Sequence, residues 1–245
     1  MTTDDGWPPL LELRQYTLRP GRRDDLIDLF DAELVESQER LDMGVYGQFR
    51  DLDRPDRFVW LRGYGSDDPE RRRQSLDAFY GGPVWAAHGP AANATMIDSD
   101  DVFLLSPLRA HEPYVGQPDR LPFGADPPDS VVEVTVCLLA DRPDQALIDF
   151  VATDVLGLLG ELAAGPVAAF RSADVPNTFP ALPVRPEPVL IWLSRFDDAS
   201  EHEAYRRRLQ ESRRWETEVE PRLRASLKAE PMRLRLSPTV RSRLR

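Results

Sequence analysis

Lysine is almost missing from this chain. Of its 31 basic side chains, only Lys228 is a lysine and the rest are arginines. Schiff-base and P-loop chemistry therefore have almost no residue to use. Cysteine is as scarce. Cys137 stands alone, so no disulfide forms within the chain, and in the apolar run 131–139 it reads as a small core residue. No stretch approaches the ~20 apolar residues of a membrane span. Met1-Thr2-Thr3-Asp4-Asp5 has no basic or apolar segment of secretory type. A cytoplasmic location is the expectation, with no membrane partner. Positive charge is in deficit too. The net charge of -11 disfavours nucleic acid, because phosphate binding needs a basic surface. The arginine-rich end, 233–245, is the local exception and reads as a last strand with a frayed end.

What is present is a sequence written twice. Phe58-Val59-Trp60-Leu61-Arg62-Gly63-Tyr64 has an echo in Leu190-Ile191-Trp192-Leu193-Ser194-Arg195-Phe196. Trp85 and Leu105-Ser106-Pro107 follow the first; Trp215 and Leu236-Ser237-Pro238 follow the second. Trp60 precedes Pro107 by 47 residues, and Trp192 precedes Pro238 by 46. That agreement argues for two copies of one folding unit.

Periodicity supports this. In the first copy, 10–18, 45–51, 57–64 and 101–106 read as strands, while 22–40, 69–80 and 84–96 read as helices. In the second, strands are expected over 131–139, 167–172, 189–196 and 230–236. Helices are expected over 143–162 and 200–224, the latter broken near Glu211. Each copy has the order β-α-β-β-α-β, the ferredoxin-like order. The expected organisation is a first unit over 1–108, a Pro/Gly-rich linker over 109–129 and a diverged second unit over 130–245. A proline-rich insertion at 174–188 lies in the second hairpin and reads as a lid, an edge cover or a dimer arm.

The runs Glu12 to Gly21, Gln48 to Asp51, Phe58 to Gly63, Phe79 to Trp85 and Ala92 to Asp100 resemble the NIPSNAP family over nearly the whole first unit. The second unit resembles it only in outline. The resemblance implies a dimeric α/β-barrel fold, in which ferredoxin-like units pair their sheets, and a homodimer. Its wider superfamily includes cofactor-independent monooxygenases, haem enzymes, and cyclases or isomerases of polyketide-like rings.

Two sets of residues could carry chemistry. Alternation separates Glu12, Arg14, Tyr16, Tyr46, Gln48, Arg50, Phe58, Trp60, Arg62 and Tyr64 from an aliphatic face bearing Leu11, Leu13, Val59 and Leu61. The aliphatic face is expected to carry the unit's own helices. The mixed face is expected to line a barrel interior, an interface or a ligand site. On the helix after Gly81-Gly82-Pro83, Trp85, His88, Ala92 and Met96 share a face, which is expected to point inward. Gly89-Pro90 would kink it. Aligning Trp85 with Trp215 sets Glu218 against His88, Leu223 against Asn93 and Lys228 against Asp98, so the polar set belongs to the first unit. The acids at 98, 100 and 101 suit a turn more than a metal, and no metal site is expected. Glu201-His202-Glu203 reads as a solvated helix start.

The expected function is a small-molecule enzyme without a nucleotide cofactor. It would use acid-base, oxygenase, cyclase or isomerase chemistry on a hydrophobic oxygenated ligand. His88 would move a proton, Asn93 would orient a carbonyl and Arg62 would stabilise an anion. Tyr80, Trp85, Met96, Trp60, Gln48 and Tyr16 would bind substrate. The alternatives are a non-catalytic dimeric binding or scaffolding protein, and a haem protein ligated through His88 or His202.

Overall fold

The computed structural model describes residues 6–109, 114, 119–163 and 166–245. The N-terminal pentapeptide and parts of the expected linker (110–113 and 115–118) lie outside the described residues.

The first half contributes β1 (Leu10–Leu18), β2 (Met43–Asp51), β3 (Arg57–Tyr64) and β4 (Met96–Pro107). Between β1 and β2 runs α1 (Arg23–Leu29), continued through a π-helical turn (Phe30–Leu34) into α2 (Val35–Glu39). Between β3 and β4 lie α3 (Pro69–Tyr80) and α4 (Pro83–Thr95). The second half has β5 (Val131–Leu138), α5 (Gln145–Phe150), a π turn (Val151–Val155), α6 (Leu156–Glu161), β6 (Pro166–Ser172) and β7 (Val189–Phe196). It ends with α7 (Ala199–Glu211), a third π turn (Trp215–Val219), α8 (Glu220–Arg224) and β8 (Met232–Pro238). The break near Glu211 is real: Ser212 is extended there. At Gly89-Pro90, where a kink was expected, α4 continues through Pro90.

All eight strands pair antiparallel into one closed barrel, in the order β1-β3-β2-β8-β5-β7-β6-β4. The first half lies as β4-β1-β3-β2 and the second as β8-β5-β7-β6. The two seams match: Phe49 to Asp51 of β2 join Pro238 to Leu236 of β8, and Leu105 to Pro107 of β4 join Ser172 to Phe170 of β6. Closure therefore occurs within one chain. No sheet edge is left that a second copy must cover.

The strand faces are used in the opposite sense to that expected. The aliphatic face fills the barrel. Leu11, Leu13, Phe49, Val59, Leu61, Phe103, Val134, Ile191 and Leu236 meet there, every one almost fully buried. The mixed face of β1 and β3 looks outward, beneath the first half's helices, where Tyr16, Phe58, Trp60 and Tyr64 pack on Leu26, Phe30, Leu34, Leu76 and Phe79. The reason is area. Closing eight strands creates a central volume walled by both halves, and it must be filled with branched aliphatic side chains. The helices cover only one half each and can tolerate polar groups that pair with one another. A second helix layer packs Phe150, Val151, Leu158, Tyr205 and Trp215 on Cys137, Trp192 and Phe196.

The C-terminal arginine-rich end is not frayed. Thr239, Ser242 and Leu244 are fully buried, and Leu244 joins the barrel core. Thr239 and Leu244 donate backbone N–H groups to the Gln48 and Tyr46 carbonyls. Arg241 pairs with Glu36, and Arg243 and Arg120 pair with Glu39. The segment closes one end of the barrel beside Trp7, Tyr46 and Tyr114, whose rings stack and cross at 4.9–5.6 Å. Among the described residues no helix is long and apolar enough to cross a membrane.

Candidate active site

The mixed face brings four ionised side chains into a buried layer between the sheet and α3. Glu12 on β1 sits opposite Arg62 on β3, and Arg14 sits opposite Trp60. Asp68 caps α3 by accepting from the Glu70 N–H, with Pro69 at the first turn, so the helix starts at a fixed point. Its fourth residue, Arg72, then points down with Leu76 and Phe79 onto the strands.

One carboxylate takes all three guanidiniums. Glu12 Oε2 accepts from Arg62 Nη2 at 2.7 Å, Arg62 Nε at 3.0 Å and Arg14 Nη1 at 2.8 Å. Glu12 Oε1 accepts from Arg72 Nη2 at 2.8 Å, Arg72 Nε at 2.9 Å and the Tyr64 hydroxyl at 2.9 Å. Glu12, Arg14 and Arg62 are completely buried and Arg72 is 1% exposed. Burial alone would raise the Glu12 pKa, but Arg62, Arg14 and Arg72 together hold it far below the usual carboxylate range. Arg62 is pulled the other way: burial opposes its charge, but Glu12 and the tyrosines keep it protonated more firmly than a free arginine. The cluster keeps two positive charges in excess in a fully buried place.

Aromatic rings wall this excess. Arg14 and Arg62 lie 5.6 and 5.2 Å from the Trp60 ring, and Arg62 and Arg72 lie 5.8 and 5.7 Å from Tyr64. The Arg14 Nε donates to the Tyr16 hydroxyl at 3.1 Å. Burial raises the Tyr16 pKa, Arg14 opposes this, and Tyr80 adds to it. Tyr80 crosses Trp85 at 4.8 Å. The Trp60 indole N–H is buried and has no acceptor among the described residues.

The proline-rich segment of the second half roofs this site. Phe179 stacks on Tyr80 at 5.8 Å. Asn177 Oδ1 accepts from Arg72 Nη1 and from the Phe179 N–H, while its amide donates to the Leu182 carbonyl. Thr178 donates to the Pro69 carbonyl at the start of α3. Of the three roles expected for this insertion, it covers the other half of its own chain.

Of the residues named from sequence, Arg62, Trp60, Tyr16, Tyr80 and Trp85 come together here. The others do not. His88 is half-buried, and its Nε2 lies 3.5 Å from Glu33 on the first π turn. Asn93 is on the exposed face of α4. Met96 is a partly buried contact at the start of β4. Gln48 belongs to a separate polar group, donating to Asp31 at 2.9 Å and accepting from Arg120 at 3.2 Å. The face of α4 expected to point inward is thus split. The Trp85 indole folds back so closely that a β-carbon at Gly89 would stand 2.7 Å from it. Sequence reasoning missed Arg72, although its spacing from Leu76 and Phe79 puts an arginine on an apolar helix face, the available signal.

The other expected sites read differently in three dimensions. Asp98 accepts from the Asp100 N–H, and Asp101 pairs with Arg185. Among the described residues no group of three or more His, Cys, Asp or Glu could hold a metal ion. His202 is not solvated: it is 6% exposed, with Nε2 2.9 Å from Glu133. Both described histidines turn Nε2 toward a carboxylate.

No protein-family model matches the sequence, and no curated protein matches it. Solved structures do match. A candidate monooxygenase of Lactobacillus acidophilus aligns over 94% of each chain at 11% identity, with a TM-score of 0.56. An anthrone oxidase-like protein aligns over 97% of this chain and 92% of its own at 15% identity, also with a TM-score of 0.56. NIPSNAP proteins are among the neighbours too: one from Burkholderia xenovorans covers 40% of this chain and 93% of its own, at 18% identity and a TM-score of 0.36. At these identities the two full-length likenesses define the class of fold, a mixed α/β barrel of monooxygenase-like architecture.

Proposed function

We propose that this protein is a small-molecule enzyme of the cofactor-independent oxygenase, cyclase or isomerase type. Each half is a ferredoxin-like unit, and the site lies between the first unit's sheet and helices. The observation that carries this is the unbalanced charge: three buried guanidiniums face one carboxylate. Buried charge without a partner costs several kcal/mol, so the site favours a ligand that brings negative charge. The orphaned Trp60 N–H adds a donor seeking an acceptor, and the aromatic walls suit a ring.

The substrate class that fits is a hydrophobic, oxygenated, polyketide-like ring with an acidic methylene. Arg14, beside Tyr16, would hold the enolate or phenolate oxygen, lowering the cost of losing the methylene proton. In an oxygenase of this kind the substrate carbanion itself reduces dioxygen. The methylene becomes a carbonyl, one oxygen atom is retained and the other leaves as water. Glu12 is no base here, since six hydrogen bonds saturate it. It positions the guanidiniums. His88, the proton acceptor proposed from sequence, lies outside this cluster with Nε2 3.5 Å from Glu33, and His88→Ala tests that role separately.

The test is oxygen uptake with anthrone-like substrates, comparing wild type with Arg14→Met. Loss of about 100- to 1,000-fold in kcat in a folded variant is expected. Substrate-independent oxygen uptake, or a variant as active as wild type, overturns the assignment. Tight ligand binding without turnover would favour the second reading, a non-catalytic binding protein. The saturation of Glu12 supports that one, because a complete network can serve architecture alone.

A further inference from the structure

The duplication sets the two halves in register, and the register exposes a second site. Glu12 faces Arg62 on β3 and Leu104 on β4. Glu133, in the same place on β5, faces Ser194 on β7 and Arg235 on β8. Asp68 and Asp198 cap α3 and α7, so Arg72 and His202 are each the fourth residue of their helices. The second half keeps the buried carboxylate but replaces its guanidiniums: Arg14 becomes Thr135, Arg62 becomes Ser194 and Arg72 becomes His202.

The exchange also runs in reverse. Val102 and Leu104 correspond to Arg233 and Arg235, and Leu76 corresponds to Arg206. Three apolar positions in the first half, lying in or beside the layer roofed by the proline-rich segment, are arginines in the second. No comparable roof covers them, because the matching β2–β3 hairpin is short and reaches the groove only through Asp53, which pairs with Arg235. The result is an open groove of about 450 Å³ where Arg206, Arg207, Arg233, Arg235 and His202 face three carboxylates, Asp53, Glu133 and Glu203, leaving the arginines one charge in excess. Among the described residues Arg207 and Arg233 have no carboxylate partner. A chain of net charge -11 has thus gathered four arginines around one opening.

We infer that this groove is a second binding site, specific for small anions bearing a phosphate or carboxylate group. Arg207 and Arg233 supply the guanidiniums, which match such groups in a planar, two-pronged fashion. Glu133 fixes the His202 ring beneath them, and the Asp53–Arg235 pair borders the opening. This site stands independently of the proposed oxygenase site.

The test is titration of the intact protein with inorganic phosphate, by calorimetry and thermal shift, against sodium chloride at equal ionic strength. Expected is saturable binding that chloride does not reproduce, weakened about tenfold by Arg207→Ala or Arg233→Ala, and unchanged by Arg14→Met. Both groove arginines are exposed, so these variants should fold. Stabilisation matched by chloride, or phosphate binding that survives in the double variant, overturns the assignment. Loss of binding in Arg14→Met would also do so, by moving the anion to the first half.

Discussion

At the scale of single residues, Glu12 and Asp31 are buried acids with opposite consequences. Glu12 is paired three times over, and its removal strands three guanidiniums. Glu12→Gln should therefore destabilise the protein by about 3–5 kcal/mol, read from urea unfolding at pH 7. Arg14→Met removes one of the excess charges and should cost far less. Asp31, on the π turn, has no such ion pair among the described residues; its hydrogen bond comes from Gln48. Burial pushes its pKa up from 3.8 to about 6, with Gln48, Thr239, Arg120 and Arg241 offsetting only part. Between those two values the folded protein holds a proton that the unfolded chain has released. Stability contributed by this group therefore falls as pH rises through that window, and the cost is complete above pH 6. Asp31→Asn should stabilise the protein by about 1–3 kcal/mol at pH 8, with the gain fading toward pH 4. Equal gains at both pH values would show that charge is not the cause.

At the scale of elements, the proline-rich segment 174–188 packs Val175, Phe179, Leu182 and Val184 on the first half, and Asn177 makes three of its hydrogen bonds. Asn177→Ala should speed amide exchange in that segment about tenfold or more while leaving the barrel strands protected, as hydrogen-exchange mass spectrometry would show. The insertion was visible in the sequence as five prolines. Its target was not, because composition specifies stiffness and not what a stiff segment lies against. The π turns show the same limit. Phe30–Leu34 and Val151–Val155 stand at matching places in the first helix of each half, so the two halves share an irregularity. Helical periodicity over 22–40 and 143–162 was legible, but one extra residue in a turn is too small a phase change to read among so few apolar positions.

At the scale of the whole molecule, single-chain closure has a measurable consequence. Both seams lie within one covalent chain, so closing the barrel uses no strand from a second copy. The thermal midpoint should stay constant over a hundredfold dilution, whereas a barrel assembled from two chains would lose stability by mass action. A midpoint that fell with dilution would place an additional interface outside the barrel. The sequence by itself determined the strand and helix order and the two faces of β1 and β3, because these are local periodicities that burial imposes on any solution; in β2 a bulge between Val45 and Gly47 broke the alternation, so Val45 lies under the helices and Phe49 in the barrel. Tertiary structure alone decided which face went inside. Strand alternation is symmetric: it separates two faces without saying which one meets the barrel and which the helices. Once the sheet closed, the aliphatic face filled the centre, the charged face went under the helices, and a strand pattern became a buried cluster of one acid and three arginines.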